Sequence, residues 1–241
     1  METVIHKSED RGYANHGWLD THHTFSFAGW YNPNQMHFGA LRVLNDDIVS
    51  PEKGFGQHPH NDMEIVSIPL RGALTHRDTM GHAQAIKTGD VQVMSAGTGL
   101  QHSEYNESST EEVNFLQLWI FPERRGVEPR YDQKTFDASN RENTWQQLVR
   151  PHNGEGDGLW VHQNAYMHRT DLTEGTKLSY SVNSEGNGVY FFILEGDVEI
   201  AGQALNKRDG IGVWDVDSVE LVASSNAEVL AVEVPMALPQ F

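Results

Sequence analysis

Cysteine is absent from this 241-residue chain. That excludes disulfides, thiolate metal ligands and a cysteine nucleophile. No apolar run approaches the roughly 20 residues a helix needs to cross a bilayer, and Met1 to Asp10 is polar, without the apolar centre of a secretion signal. A cytoplasmic protein is the expectation from these absences. Basic residues are scarce: 17 Lys and Arg stand against 34 Asp and Glu, a formal net charge of −17. Such a surface repels phosphate backbones and anionic lipids, so direct nucleic-acid binding and membrane docking are not expected. Solubility is its simplest consequence. Also missing is any apolar period of 3.6 residues sustained over three turns, which argues against a helical fold.

What the chain has instead is short β-type runs separated by glycine and acidic turns. In the first half these are Gly39 to Leu44, Met63 to Leu70, Ala73 to Asp78, Asp90 to Met94 and Val113 to Phe121. The second half offers Lys177 to Val182, Val189 to Leu194, Asp197 to Ala201, Ile211 to Trp214, Val219 to Val222 and Val229 to Val234. Their length and spacing predict an all-β sandwich or barrel. The halves also echo each other. Leu70-Arg71-Gly72, a strand, Gly81 and Gly89-Asp90-Val91 match Leu194-Glu195-Gly196, a strand, Gly202 and Asp209-Gly210-Ile211, as two copies of one β unit would. The polar stretch from Pro122 to Gly158 reads as the connection, with a short helix expected over Thr144 to Val149. A boundary near residue 136 gives an N-terminal unit, 1–135, and a C-terminal unit, 136–241.

Histidine carries the chemistry. Gln57-His58-Pro59-His60-Asn61-Asp62-Met63-Glu64 leads into an apolar run, and in extended backbone residues i and i+2 point to one side. His58 and His60 can therefore aim two imidazoles at one point, with Pro59 marking a strand end or edge. His102 and Glu104 repeat the spacing after the glycine-rich Ser95-Ala96-Gly97-Thr98-Gly99. Two such pairs on neighbouring strands supply three imidazole nitrogens and one carboxylate oxygen. Donors of this kind, at about 2.0–2.2 Å, suit iron(II), manganese, nickel, copper(II) or zinc.

These residues belong to a wider pattern. Arg11-Gly12, Asn15-His16-Gly17-Trp18-Leu19-Asp20, Thr24-Phe25-Ser26-Phe27, Leu41-Arg42-Val43-Leu44-Asn45-Asp46-Asp47, His58-Pro59-His60, Met63-Glu64, His76-Arg77-Asp78, Met94 to Gly99 and His102-Ser103-Glu104-Tyr105-Asn106 run nearly end to end. Taken together they resemble the pirin family, and in particular its bacterial quercetin 2,3-dioxygenase-like members. The resemblance implies a bicupin, two tandem jelly-roll barrels, with one divalent transition metal in the N-terminal cupin held by His58, His60, His102 and Glu104. Iron(II) is the expected ion, with zinc, manganese, nickel, copper or cobalt as alternatives. Cupins in general place a glutamate ligand where this chain has Glu64; the pirin pattern assigns the carboxylate to Glu104 and leaves Glu64 a supporting role.

The same resemblance implies a flavonol-like substrate and dioxygen; with a carboxylate beside three imidazoles, the expected mechanism gives Glu104 a second role as general base, followed by ring opening and release of carbon monoxide. Animal pirins suggest the alternative of a non-enzymatic, metal- or redox-responsive protein that binds a protein partner. A metal-assisted isomerase or hydrolase on the same fold is a third reading. His162 and His168 fall in no His-x-His pair, so the C-terminal cupin is expected to lack a metal site. His16, His22, His23, His37 and His76 are expected to be structural, with lining the pocket the alternative for any one of them, and a monomer is expected.

Overall fold

The computed structural model describes residues 1–238, so 239–241 of the expected second unit lie outside the described residues. Apolar residues on alternate positions become strands with two unlike faces, and these build two pairs of sheets. In the first half a seven-stranded sheet runs Arg130–Thr135, Asp90–Ser95, Glu64–Arg71, Val113–Ile120, Leu41–Val49, Leu19–His23, Gly12–Asn15. Its companion is a four-stranded sheet, Gly54–His60, Leu100–Tyr105, Ala73–Asp78, Ala83–Lys87. The second half repeats the plan. Seven strands run Glu2–His6, Gly210–Trp214, Asn187–Glu195, Ala227–Pro235, Tyr166–Leu172, Gln146–Pro151, Leu159–Val161, and four run Lys177–Ser181, Ser218–Ala223, Val198–Ile200, Gln203–Leu205. The all-β, two-barrel expectation is met. No helix among the described residues is long and apolar enough to cross a membrane.

The two large sheets pack on each other. Along Val113–Ile120, Leu116, Leu118 and Ile120 enter the core shared by both halves, whereas Phe115 turns into the first barrel. Asn187–Glu195 divides in the same way, with Tyr190, Phe192 and Leu194 in the shared core and Val189, Phe191 and Ile193 inside the second barrel. The architecture is thus four layers, with strand parity deciding which layer each side chain joins. The boundary expected near residue 136 falls between Arg130–Thr135 and Gln146–Pro151. Glu2–His6 crosses over, pairing antiparallel with Gly210–Trp214 from Glu2↔Trp214 to His6↔Gly210.

Two local expectations need correction. The segment expected to be helical, Thr144 to Val149, is a strand, Gln146–Pro151, paired with Tyr166–Leu172. Leu148 and Val149 are both drawn into the shared core, which hides the alternation that marks a strand. The helical turn lies earlier, at Ala138–Arg141, where Asp137 accepts from the Ser139 N–H at 2.9 Å. The strand expected over Gly39 to Leu44 starts at Leu41 and continues through Asn45-Asp46-Asp47 to Val49. Those polar residues resemble a turn, but the fold supplies partners: the Thr21 hydroxyl donates to Asp47, and Arg208 Nε donates to Asp46 at 2.8 Å.

Candidate metal centre

The four-stranded sheet of the first barrel sets the site by register. His102 sits directly opposite His58 on one side and Asp78 on the other, and Glu104 is opposite His76. Residues two apart share a face, so His58, His60, His102, Glu104, His76 and Asp78 all turn into the barrel. The loop entering Leu100–Tyr105 explains the glycine motif. Gly97 has φ +47, and a Cβ there would lie 2.0 Å from the Val127 carbonyl oxygen. Only glycine tolerates that approach, which anchors the start of the strand carrying His102.

The three histidine rings form a near-equilateral triangle, with centroids 4.9 Å (His58–His60), 4.5 Å (His58–His102) and 4.8 Å (His60–His102) apart. One donor atom from each lies within 4.8 Å of the others. Their hydrogen bonds fix where the lone pairs point. His58 Nδ1 donates to the Gly56 carbonyl at 2.8 Å, leaving Nε2 bare. Behind His102 runs a relay: His76 Nε2 donates to Asp78 Oδ2 at 3.1 Å, and its Nδ1 accepts from His102 Nδ1 at 3.3 Å. His102 Nε2 is then also bare, 3.0 Å from His58 Nε2. His60 Nε2 is buried with no hydrogen-bond partner among the described residues. Three lone pairs facing one point, one of them an orphaned buried acceptor, fit a cation.

Electrostatics agree. Burial first, then His58, pushes His60 down to about 4. Burial, followed by His58, His60 and His76, takes His102 down to about 2. Both rings are therefore neutral at pH 7, the state in which imidazole binds a metal. Glu104 is buried, and burial raises its proton affinity. Its two oxygens are held by Gln117 Nε2 at 2.8 Å and the Ser67 hydroxyl at 3.3 Å. Trp119 Nε1 in turn donates to Gln117 Oε1 at 3.2 Å. Glu104 joins a second cluster of close donors with His102 and His76, so His102 is common to both groups.

His58, His60 and Glu104 open onto a cavity of about 290 Å³. Its apolar walls are Leu19, Phe27, Phe55 and Trp119, and a polar wall comes from Thr21, His23, Asn45 and Asp47. Burial pushes the Asp47 carboxyl up to about 7. Sequence parity explains the wall: Thr21 and His23, Asn45 and Asp47, Gln117 and Trp119 are the odd-numbered residues of three adjacent strands.

The remaining histidines separate. His16 and His23 line the cavity. His37 Nδ1 contacts the Gly39 carbonyl at 3.0 Å. His168 meets the Tyr180 hydroxyl at 3.1 Å inside the second barrel. His76, expected to be structural, stands directly behind His102; its His-x-Asp spacing was the available signal. Metal-ligating histidines held by such partners lose about 10–100-fold in affinity when the partner goes. Asp78→Asn and His76→Ala are expected to fall in that range by metal titration, and unchanged affinity in both would contradict the relay.

Glu64 lies apart. It is even-numbered and turns away from Ile65 and Ser67, toward the second half, where Oε2 accepts from the Ser95 hydroxyl at 2.7 Å and the His162 N–H at 3.2 Å. Burial raises its carboxyl from 4.5 to about 7, opposed by those hydrogen bonds. With the folded value above the unfolded one, its contribution is intact below the unfolded value and is lost as pH rises through the folded one. Relative to the parent, Glu64→Gln is therefore expected to gain about 2–3 kcal/mol between pH 4 and pH 8 in urea unfolding. A pH-independent difference would contradict this.

The Pirin family model matches residues 5–120, and a model described as the quercetinase C-terminal cupin domain matches residues 148–234. A quercetin 2,3-dioxygenase of Escherichia coli K12 is 43% identical over 231 residues, covering 96% of this chain and 98% of that protein. The crystal structure of YhhW from Escherichia coli aligns with a TM-score of 0.93 and 41% identity, covering 99% of this chain and 100% of that one. The structure of bacterial pirin YhhW in complex with nickel(II), also from Escherichia coli, aligns with a TM-score of 0.91 and 40% identity over 97% and 99% of the two chains.

Proposed function

The chain belongs to the pirin family of bicupins, and on that footing we propose that it is a metal-dependent dioxygenase. It cleaves a flavonol such as quercetin at the 2,3 position of the heterocycle, releasing carbon monoxide. The observation that carries this reading is the triangle of bare imidazole nitrogens opening, beside Glu104, onto an aromatic-walled cavity. His58, His60, His102 and Glu104 are the proposed ligands. Iron(II) is the proposed ion, and nickel(II), found with the Escherichia coli relative, suits the same nitrogen and oxygen donors.

When bound, the metal supplies Lewis acidity that lowers the proton affinity of the substrate's enol hydroxyl. The chain does the rest. Phe27, Phe55 and Trp119 pack against the planar ring system and keep water away from it. Glu104 receives the 3-hydroxyl proton, its orientation held by Gln117 and Ser67. In the net reaction both atoms of dioxygen are incorporated, the bonds joining C3 to C2 and C4 break, and C3 leaves as carbon monoxide. The cavity is close to the lower end of the ligand-pocket range of about 300–1,000 Å³, which favours a compact planar substrate. Oxygen uptake with quercetin, accompanied by equimolar carbon monoxide, is the expected result. Metal-loaded protein that consumes no oxygen with flavonols would overturn the reading and favour a binding role.

A further inference from the structure

The sequence holds two acidic residues for every basic one, 34 against 17. One cleft reverses that ratio on a larger scale than any single ion pair. A cleft of about 630 Å³ between the two halves is lined by six cations, Arg11, Arg71, Arg141, Arg169, Lys207 and Arg208, and by three carboxylates, Asp46, Glu195 and Glu228. It lies on the other face of the strands that wall the metal cavity. His22, Asp46, Ile48 and Asn114, which turn toward it, are even-numbered, where the metal cavity takes odd-numbered residues.

Four of the guanidinium groups are nearly buried, with side-chain exposures of 6% for Arg11, 14% for Arg208, 11% for Arg141 and 11% for Arg169. They share three carboxylates. Asp46 serves both Arg11 and Arg208, Asp171 accepts from Arg141 Nε at 2.8 Å, and Glu228 accepts from Arg169. An ion-pair clasp holding the halves together would match its charges and saturate its donors. Here one positive charge is left over. Arg11 Nη1, 3.5 Å from Asp46 Oδ2, and Arg169 Nε are buried with no hydrogen-bond partner among the described residues. Unpaired buried donors on a cation are costly, and the planar guanidinium fork is shaped for oxyanions.

We propose that this cleft is a binding site for a small multivalent oxyanion, a phosphate-bearing or polycarboxylate metabolite. The occupant adds the missing negative charge and accepts from the unsatisfied donors. Arg71 and Lys207, exposed by 63% and 55%, stand at its edge and draw the anion in. The site is separate from the metal and from the flavonol reading.

Calorimetric titration of the full-length protein with inorganic phosphate and, separately, with citrate tests it, with sodium chloride at matched ionic strength as the control. Saturable binding of phosphate alone identifies a phosphate-bearing ligand, and binding of citrate alone a polycarboxylate. Arg169→Lys keeps the charge but loses the fork, and is expected to weaken binding about tenfold. The double variant Arg71→Gln/Lys207→Gln changes only exposed side chains and is expected to weaken it about fivefold. The proposal is overturned if neither anion gives heat beyond the chloride control, or if binding is undiminished in both variants.

Discussion

His60→Ala is expected to bind metal at least about 100-fold more weakly than the parent, while the metal-free protein loses little stability. The two effects have separate causes. His60 Nε2 is buried and meets no hydrogen-bond partner among the described residues, so that nitrogen contributes nothing polar to the fold until a cation arrives. Removing it leaves a void against Trp119, whose ring centroid is 4.9 Å away, but also removes an unsatisfied buried acceptor, which offsets part of that cost. His58→Ala should lose metal similarly. Metal content after purification without added metal, together with urea unfolding of the stripped protein, measures both sides. Full retention of metal in either variant would refute the ligand assignment.

Glu104→Gln is expected to lower flavonol turnover by about 10²–10⁴-fold, the range contributed by a positioned general base. The change keeps the shape but removes one acceptor. A carboxylate takes hydrogen bonds from both Gln117 and Ser67, whereas an amide has one acceptor oxygen, so one donor goes unmatched or Gln117 turns and abandons Trp119. Stability should move the other way as pH rises. Burial raises the Glu104 carboxyl above its ordinary value, so its contribution is lost as pH climbs through the folded value, and the amide escapes that loss. Turnover lost with metal affinity retained assigns Glu104 as the base. Loss of both together makes it chiefly a ligand, and wild-type turnover would remove it from the chemistry.

The candidate donors were legible in the chain because i, i+2 spacing is a local pattern that extended backbone converts directly into a shared face. Parity alone could not say which side of Val113–Ile120 meets the cavity. That is decided by the second sheet, which claims Leu116, Leu118 and Ile120 and leaves Gln117 and Trp119 to the site. The placement of His76 behind His102 was not legible because it comes from cross-strand register, Glu104↔His76 and His102↔Asp78, between residues more than twenty positions apart. The polar run Asn45-Asp46-Asp47 hid the longest strand of the first barrel for a similar reason. Its partners, Thr21, Arg11 and Arg208, are distant in sequence and include a residue from the other half. The crossing of Glu2–His6 into the second half has no local signature at all.

Anomalous diffraction from crystals of the metal-loaded protein, recorded across the absorption edge of the bound ion, locates the metal directly. A single peak is predicted on the cavity side, where the Nε2 atoms of His58, His60 and His102 converge. A peak on the far side of His102, between its Nδ1, His76 and Glu104, would contradict the account, because the relay behind His102 would then be the metal site itself.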